Sequence, residues 1–215
     1  MRELIRQFVE ICAQTLPISE PIYEFGSFQV LGQEDLADLR PFFPGKKYVG
    51  ADMREGPGVD IILNLHHIDL PSDSIGTVLV MDTLEHVEFP RKAIKEVHRI
   101  LKPHGILIIS SVMKFPIHAH PHDYWRFTPE AFKSLIKPFS LSFVDFIGES
   151  AFPHTVVGIG FKGSISENAI KEFRRTFDHL RKRWNALTYD SSKRRSLKEL
   201  VKLFAPPVIL RVRAR

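Results

Sequence analysis

The chain has 215 residues, 44% of them hydrophobic and 26% charged, with a formal net charge of +5. That is enough apolar material for a sizeable core in one domain, and no apolar run approaches the roughly 20 residues of a membrane span. The single Cys12 rules out an intramolecular disulfide, and Glu3 and Glu10 among the first apolar residues argue against a signal peptide, so a cytoplasmic location is expected. Charge is uneven: residues 166–215 carry 14 Lys plus Arg against 5 Asp plus Glu, which leaves the first 165 residues net acidic.

Residues 1–16 predict an amphipathic helix, with Leu4, Ile5, Phe8, Val9 and Cys12 at helical spacing and Pro17 and Pro21 to end it. Ile22 to Ser27 reads as a first strand and its turn, Lys47 to Asp52 as a second strand ending in Asp52, and Val59 to Leu65 as a third. The apolar run Thr77 to Met81 has the length and β-branched content of a buried strand. A helix from Pro90 follows, with Ile94, Val97 and Leu101 on one face, and Pro103-His104-Gly105 stops it before a second apolar strand, Ile106 to Ser110. This is a βαβ unit, which predicts a parallel sheet whose ligands bind beyond the carboxyl ends of the strands. The first strand of the unit ends there in Asp82-Thr83-Leu84-Glu85-His86. A loop from Met113 to Glu130 then gathers His118, His120, His122, Asp123, Tyr124, Trp125 and Arg126, and Thr128-Pro129 reads as an N-cap and helix start. Phe139 to Ile147 and Thr155 to Phe161 read as the last two strands. Ser164-x-x-Glu167 forms a capping box for a long helix. Its apolar stripe is Ile170, Phe173, Phe177, Leu180, Trp184 and Leu187, and its other face carries Lys171, Arg174, Arg175, Arg181 and Lys182. A short helix around Leu197, Leu200, Val201 and Phe204 completes a division into an N-terminal helix (1–20), an α/β domain (21–165) and a basic helical extension (166–215).

VLVMDTLEHV, the basic helix after it and LKPHGILIIS together resemble the fourth- and fifth-strand region of class I S-adenosylmethionine-dependent methyltransferases. The resemblance covers roughly Pro21 to Phe161 and implies a Rossmann-like, seven-stranded, mostly parallel doubly wound sheet with helices on both faces. It also implies S-adenosylmethionine as cofactor and assigns residues to it. Glu24, Gly26 and Ser27 stand where the family carries an acid and a Gly-x-Gly-x-Gly loop, but Phe28 and Val30 replace the second and third glycines, with Gly32 two positions late. Asp52 takes the position of the carboxylate that accepts hydrogen bonds from the two ribose hydroxyls, and Met53 packs on the adenine edge. His66 and His67 occupy the loop that meets the adenine, while Met81 and Asp82 lie against the cofactor and Glu85 and His86 at the mouth of the cleft. A histidine in this LEHV context is expected to hold the local turn.

Methyl transfer from a positively charged sulfur is an in-line displacement, so the protein's main work is to place the acceptor and exclude water. A segment similar to HPHDYWRFT lies over the acceptor pocket in such relatives, and His118, His120, His122, Asp123 and Tyr124 are the candidate proton acceptors and orienting groups. On an extended chain His118, His120 and His122 share one side, a possible metal-ligand spacing that Pro121 interrupts, and no metal is expected. The acceptor is expected to be a small or sugar-like molecule. The long helical stripe is expected to dock on the domain, with a homodimer through these helices as a further possibility, and nucleic-acid or anionic-membrane contact by the basic tail is disfavoured. Two rivals share the fold: a binding or assembly module that has lost its cofactor, for which the altered glycine loop speaks, and a nicotinamide-dependent oxidoreductase, which LEHV and LKPHG fit less well.

Overall fold

The computed structural model describes residues 3–30, 32, 34–118 and 122–194, with side chains to residue 186. His120, the side chain of Leu187 and the short helix expected around Leu197 to Phe204 lie outside the described residues. The strands are β1 (Ile22–Phe25), β2 (Tyr48–Asp52), β3 (Ile61–Ile62), β4 (Ile75–Met81), β5 (Leu101–Val112), β6 (Leu141–Glu149) and β7 (Phe152–Lys162). They form one sheet in the order β3-β2-β1-β4-β5-β7-β6. All neighbours are parallel except that β7 runs antiparallel to both β5 and β6. The helices are α1 (Glu3–Thr15), α2 (Glu34–Ala37), α3 (Pro90–Ile100), α4 (Pro129–Leu135) and α5 (Glu167–Arg194).

Two cores sandwich the sheet, and strand alternation sorts residues between them. Val78 and Val80 of β4 and Leu107 and Ile109 of β5 pack with Ala93, Ile94 and Val97 of α3 and Phe132 and Leu135 of α4. Leu79, Met81, Ile106 and Ile108 point the other way, into the core formed by Ile5, Phe8 and Cys12 of α1 and Phe173, Phe177, Leu180 and Trp184 of α5. Covered on both faces, β4 is buried at every residue, which is why it reads as an uninterrupted apolar run.

Several boundaries differ from expectation for local reasons. The third strand keeps only Ile61–Ile62, because the chain turns at Asn64 to make a small antiparallel bridge with His67. β5 starts at Leu101, directly after α3, so Pro103-His104-Gly105 does not stop the helix. Those residues form a bulge instead: register with β4 jumps from Ile75↔Leu101 to Thr77↔Ile106, which accommodates a proline without a ladder hydrogen bond. α5 begins at Glu167, two residues later than the capping box places it, and the Ser166 carbonyl accepts from the Ile170 amide. Thr128 caps α4 as expected, its hydroxyl accepting from the Ala131 amide at 3.1 Å, with Pro129 in the first turn.

The stripe of α5 docks on the domain's own sheet. Phe173 and Phe177 lie 6.4 and 5.8 Å from the Phe8 ring of α1. Trp184 donates its indole N–H to the Gln7 side chain at 3.0 Å, and Arg181 makes two 3.0 Å bonds to the Asp145 carboxylate on β6. α1 and α5 therefore close one face of the sheet between them.

Candidate functional site

Strand order reverses between β1 and β4, so the loops leaving their carboxyl ends part and open a crevice. Loops after β1, β2, β4 and β5 surround a cavity of about 450 Å³ there, within the ordinary range for small-molecule sites. Of the residues assigned to the cofactor from sequence, Glu24, Gly26, Ser27, Asp52, Met53, His66, Met81 and Asp82 all line it. His67 does not: it is exposed, and its amide bonds the Asn64 carbonyl at 3.0 Å. The chain turns between Asn64 and His67, and of the two histidines only His66 reaches the cavity.

Gly26 is held at φ +84, and a Cβ there would stand 2.1 Å from Thr83 Oγ1. The Thr83 hydroxyl lies 2.9 Å from the Met81 carbonyl and 3.3 Å from the Phe25 carbonyl, so the β1 and β4 loops are keyed together at a point where only glycine fits. Phe28 does not close the cavity. Its ring occupies the space that Gly56 leaves, where a Cβ would lie 2.3 Å from the ring, and the Arg54 guanidinium sits 4.4 Å over it. The Gln29 amide then donates to the Pro57 carbonyl at 2.8 Å, so the β1 loop is fastened to the β2 loop and leaves the crevice open.

Asp52 stands at the end of β2. Its Oδ1 accepts from the Arg54 amide at 3.0 Å and Arg54 Nε at 3.4 Å, which leaves Oδ2 for a ligand. Ser27 Oγ is buried with no hydrogen-bond partner among the described residues, although Ser27 lines the cavity. Glu24, 3% exposed, accepts from the Tyr48 hydroxyl at 2.7 Å, and burial raises its pKa to about 7. His66 Nε2 accepts from the Phe89 amide at 3.1 Å, and desolvation lowers its pKa, so the ring is neutral with its proton on Nδ1. Asp82 adopts φ 45 and holds Ser110, whose hydroxyl donates to Asp82 Oδ1 at 2.9 Å.

The short 3-10 turn Leu84–His86 organises the long loop above the cavity. The Glu85 carbonyl accepts from the Tyr124 amide at 2.8 Å and the Trp125 amide at 3.2 Å, and the Trp125 indole N–H donates to the Val87 carbonyl at 3.0 Å. His86 Nδ1 lies 2.5 Å from the His122 carbonyl, so this histidine ties the turn to the loop. Of the candidate catalytic residues, His118 lines the cavity, beside Phe115, Pro116 and Ile117, whereas His122, Asp123 and Tyr124 sit in an outer layer. Asp123 is clamped by Arg126, its side chain 2% exposed and its Oδ2 2.7 Å from Arg126 Nη2. The Arg126 bonds hold its carboxyl down at about 2, so it stays ionised at neutral pH and is unsuited to accepting a proton. Its Oδ2 instead accepts from the His118 amide at 2.8 Å. Thr83 and Arg54 were not singled out from sequence. Thr83 directly precedes LEHV and Arg54 directly follows Met53, but only the folded loops show what they touch.

Residues 45–109 match the family described as "Methyltransferase domain". Among solved structures, a SAM-dependent methyltransferase from Archaeoglobus fulgidus superposes with a TM-score of 0.58 at 14% identity, over 75% of this chain and 95% of that one. The 1,6-didemethyltoxoflavin-N1-methyltransferase of Burkholderia thailandensis, solved with 1,6-didemethyltoxoflavin and S-adenosylhomocysteine, gives 0.57 at 16% identity over 76% and 80%. A Thermotoga maritima SAM-dependent methyltransferase, described as a possible histamine N-methyltransferase, gives 0.53 at 20% identity over 74% and 92%. At these identities the likeness concerns the fold. No curated protein sequence matches the chain. The sheet order is that of a Rossmann-like methyltransferase fold, and residues 45–109 within it are similar to a methyltransferase domain. A methyltransferase-like segment implies S-adenosylmethionine as the group to test against this crevice. Among the described residues, those present fit that group: a strand-end carboxylate with one oxygen left over, an unpartnered buried hydroxyl, and apolar walls from Leu63, Leu65 and Met53.

Proposed function

We propose that the cavity binds S-adenosylmethionine through Asp52 and Ser27 and that the methyl group passes to a small-molecule acceptor at the mouth bounded by Phe115, Ile117 and His118. The observation that carries this reading is the convergence of Asp52, Ser27 and the Gly26–Thr83 contact on one cavity at the switch point. When bound, the cofactor supplies a methyl group on a positively charged sulfur. The protein's residues then have separate tasks. Asp52 accepts hydrogen bonds from the ribose hydroxyls, while Met53, Leu65 and His66 cover the adenine. Gly26 lets backbone come close to the methionine portion. Phe115 and Ile117 shield the reacting centre from water, and His118, oriented by Asp123, faces the acceptor. The small, partly apolar mouth supports an acceptor of small-molecule size, and the Burkholderia neighbour, crystallised with 1,6-didemethyltoxoflavin, is compatible with that scale. The sugar-like alternative rests on the polar HPHDYWRFT segment alone.

Calorimetric titration with S-adenosylmethionine and S-adenosylhomocysteine tests the reading. Micromolar binding, on the order of −8 kcal/mol, lost in Asp52→Ala, is expected. A folded protein that binds neither compound would leave the binding-module reading in its place.

A further inference from the structure

We propose that Glu85, His86 and His118 form a binding site for a divalent first-row transition-metal ion at the mouth of the cavity. One ring nitrogen from each histidine and one carboxylate oxygen of Glu85 lie within 4.8 Å of one another, and all three residues line the cavity. An ion about 2.1 Å from each donor needs donor separations of roughly 3.0–3.5 Å, so small side-chain rotations close the set. The two histidine rings already meet edge to face with centroids 4.8 Å apart.

The surroundings select which nitrogen is presented. His86 Nδ1 faces the His122 carbonyl at 2.5 Å, and His118 Nδ1 faces the Pro116 carbonyl at 3.1 Å and Asp123 Oδ2 at 3.2 Å. Carbonyls and an arginine-clamped carboxylate only accept hydrogen bonds, so each Nδ1 carries the proton and each Nε2 keeps its lone pair. An orienting acceptor behind each imidazole is the arrangement that metal-binding histidines use. Glu85 is oriented as well, since the Ser111 hydroxyl donates to its Oε2 at 2.6 Å. Two imidazoles and one carboxylate suit Fe²⁺, Mn²⁺, Co²⁺ or Zn²⁺ better than Mg²⁺ or Ca²⁺.

This ligand set differs from the alternating histidines of the loop. His118 alone is shared; His122 gives its backbone carbonyl to His86, and His120 lies outside the described residues. Three protein ligands leave coordination positions open to the cavity, as in catalytic rather than structural sites. On the methyl-transfer reading those positions hold an acceptor oxygen, but metal binding by itself does not depend on that reading.

The test is a titration of tag-free, metal-free protein with Co²⁺, followed by its visible absorption, without cofactor or acceptor. One equivalent is expected to bind. His118→Ala and Glu85→Gln are each expected to weaken binding by about 100-fold or more, and Asp123→Asn, which only orients His118, by about 10–100-fold. His122→Ala is expected to leave it unchanged, because only that residue's backbone is used. Absence of Co²⁺ absorption in the folded wild type overturns the site, as does binding that survives both ligand substitutions or disappears with His122→Ala. Circular dichroism establishes folding of each variant; should Glu85→Gln unfold, His118→Ala, in the rim loop, decides.

Discussion

Gly26 shows how one residue joins sequence to site. Its positive φ and the 2.1 Å approach that a Cβ would make to Thr83 mean that alanine there is strained and also pushes the β1 and β4 loops apart. Gly26→Ala is expected to lower stability by about 1–3 kcal/mol and to weaken S-adenosylmethionine binding as well, which denaturant unfolding and calorimetry measure side by side. An unchanged affinity with intact folding would show that the two loops are not keyed through this contact. Phe28 teaches the converse. Sequence alone treats a phenylalanine at a glycine position as an obstruction, yet its ring packs at the cavity wall, in the gap at Gly56 and against Arg54. That compensation joins two loops separated by a whole strand, and no local pattern announces it.

At the scale of elements, α5 is part of the sheet's covering layer. Phe177 is fully buried and lies 5.8 Å from Phe8, 5.5 Å from Phe143 and 5.8 Å from Phe173 by ring centroids. Phe177→Ala removes the centre of this aromatic cluster and is expected to destabilise the protein by about 3–5 kcal/mol, a large share of a typical domain's stability. Because Phe177 does not line the cavity, cofactor affinity of the folded fraction is expected to stay within about twofold. Equilibrium unfolding together with titration well below the melting temperature separates the two effects. The helix itself was legible from its 3.6-residue stripe, and so was its need for an apolar partner. Docking on the domain was expected too; which residues receive the stripe was not, because periodicity identifies a face but not the partners it meets, here Phe8 and Phe143.

For the molecule as a whole, Glu24 links pH to stability. Its carboxyl is buried beside Tyr48, and burial raises its pKa from the ordinary 4.5 to about 7 in the folded protein. Below about pH 4.5 both folded and unfolded chains hold the proton and the group is neutral in the balance. Between that pH and about 7 the unfolded chain releases the proton while the folded chain keeps it, so stability is lost as pH rises through the window, by up to about 3 kcal/mol. Glu24→Gln is expected to flatten the fall in melting temperature across this range, and a wild-type curve no steeper than the variant's would refute the assignment.

The α/β class, the long amphipathic helices, the buried β4 and β5, and Asp52 at a strand end were all determined by the sequence, because hydrophobic period, proline and cap positions act over a few residues. The tertiary structure alone decided which of the flagged polar residues share a cavity: Asp52, Ser27 and His118 do, while His67, His122, Asp123 and Tyr124 do not. It also decided that Asp123 is committed to Arg126 and that Glu85, His86 and His118 converge. Those outcomes depend on where loops from strands distant in sequence cross at the edge of the sheet, and a chain's local pattern carries no term for that distance.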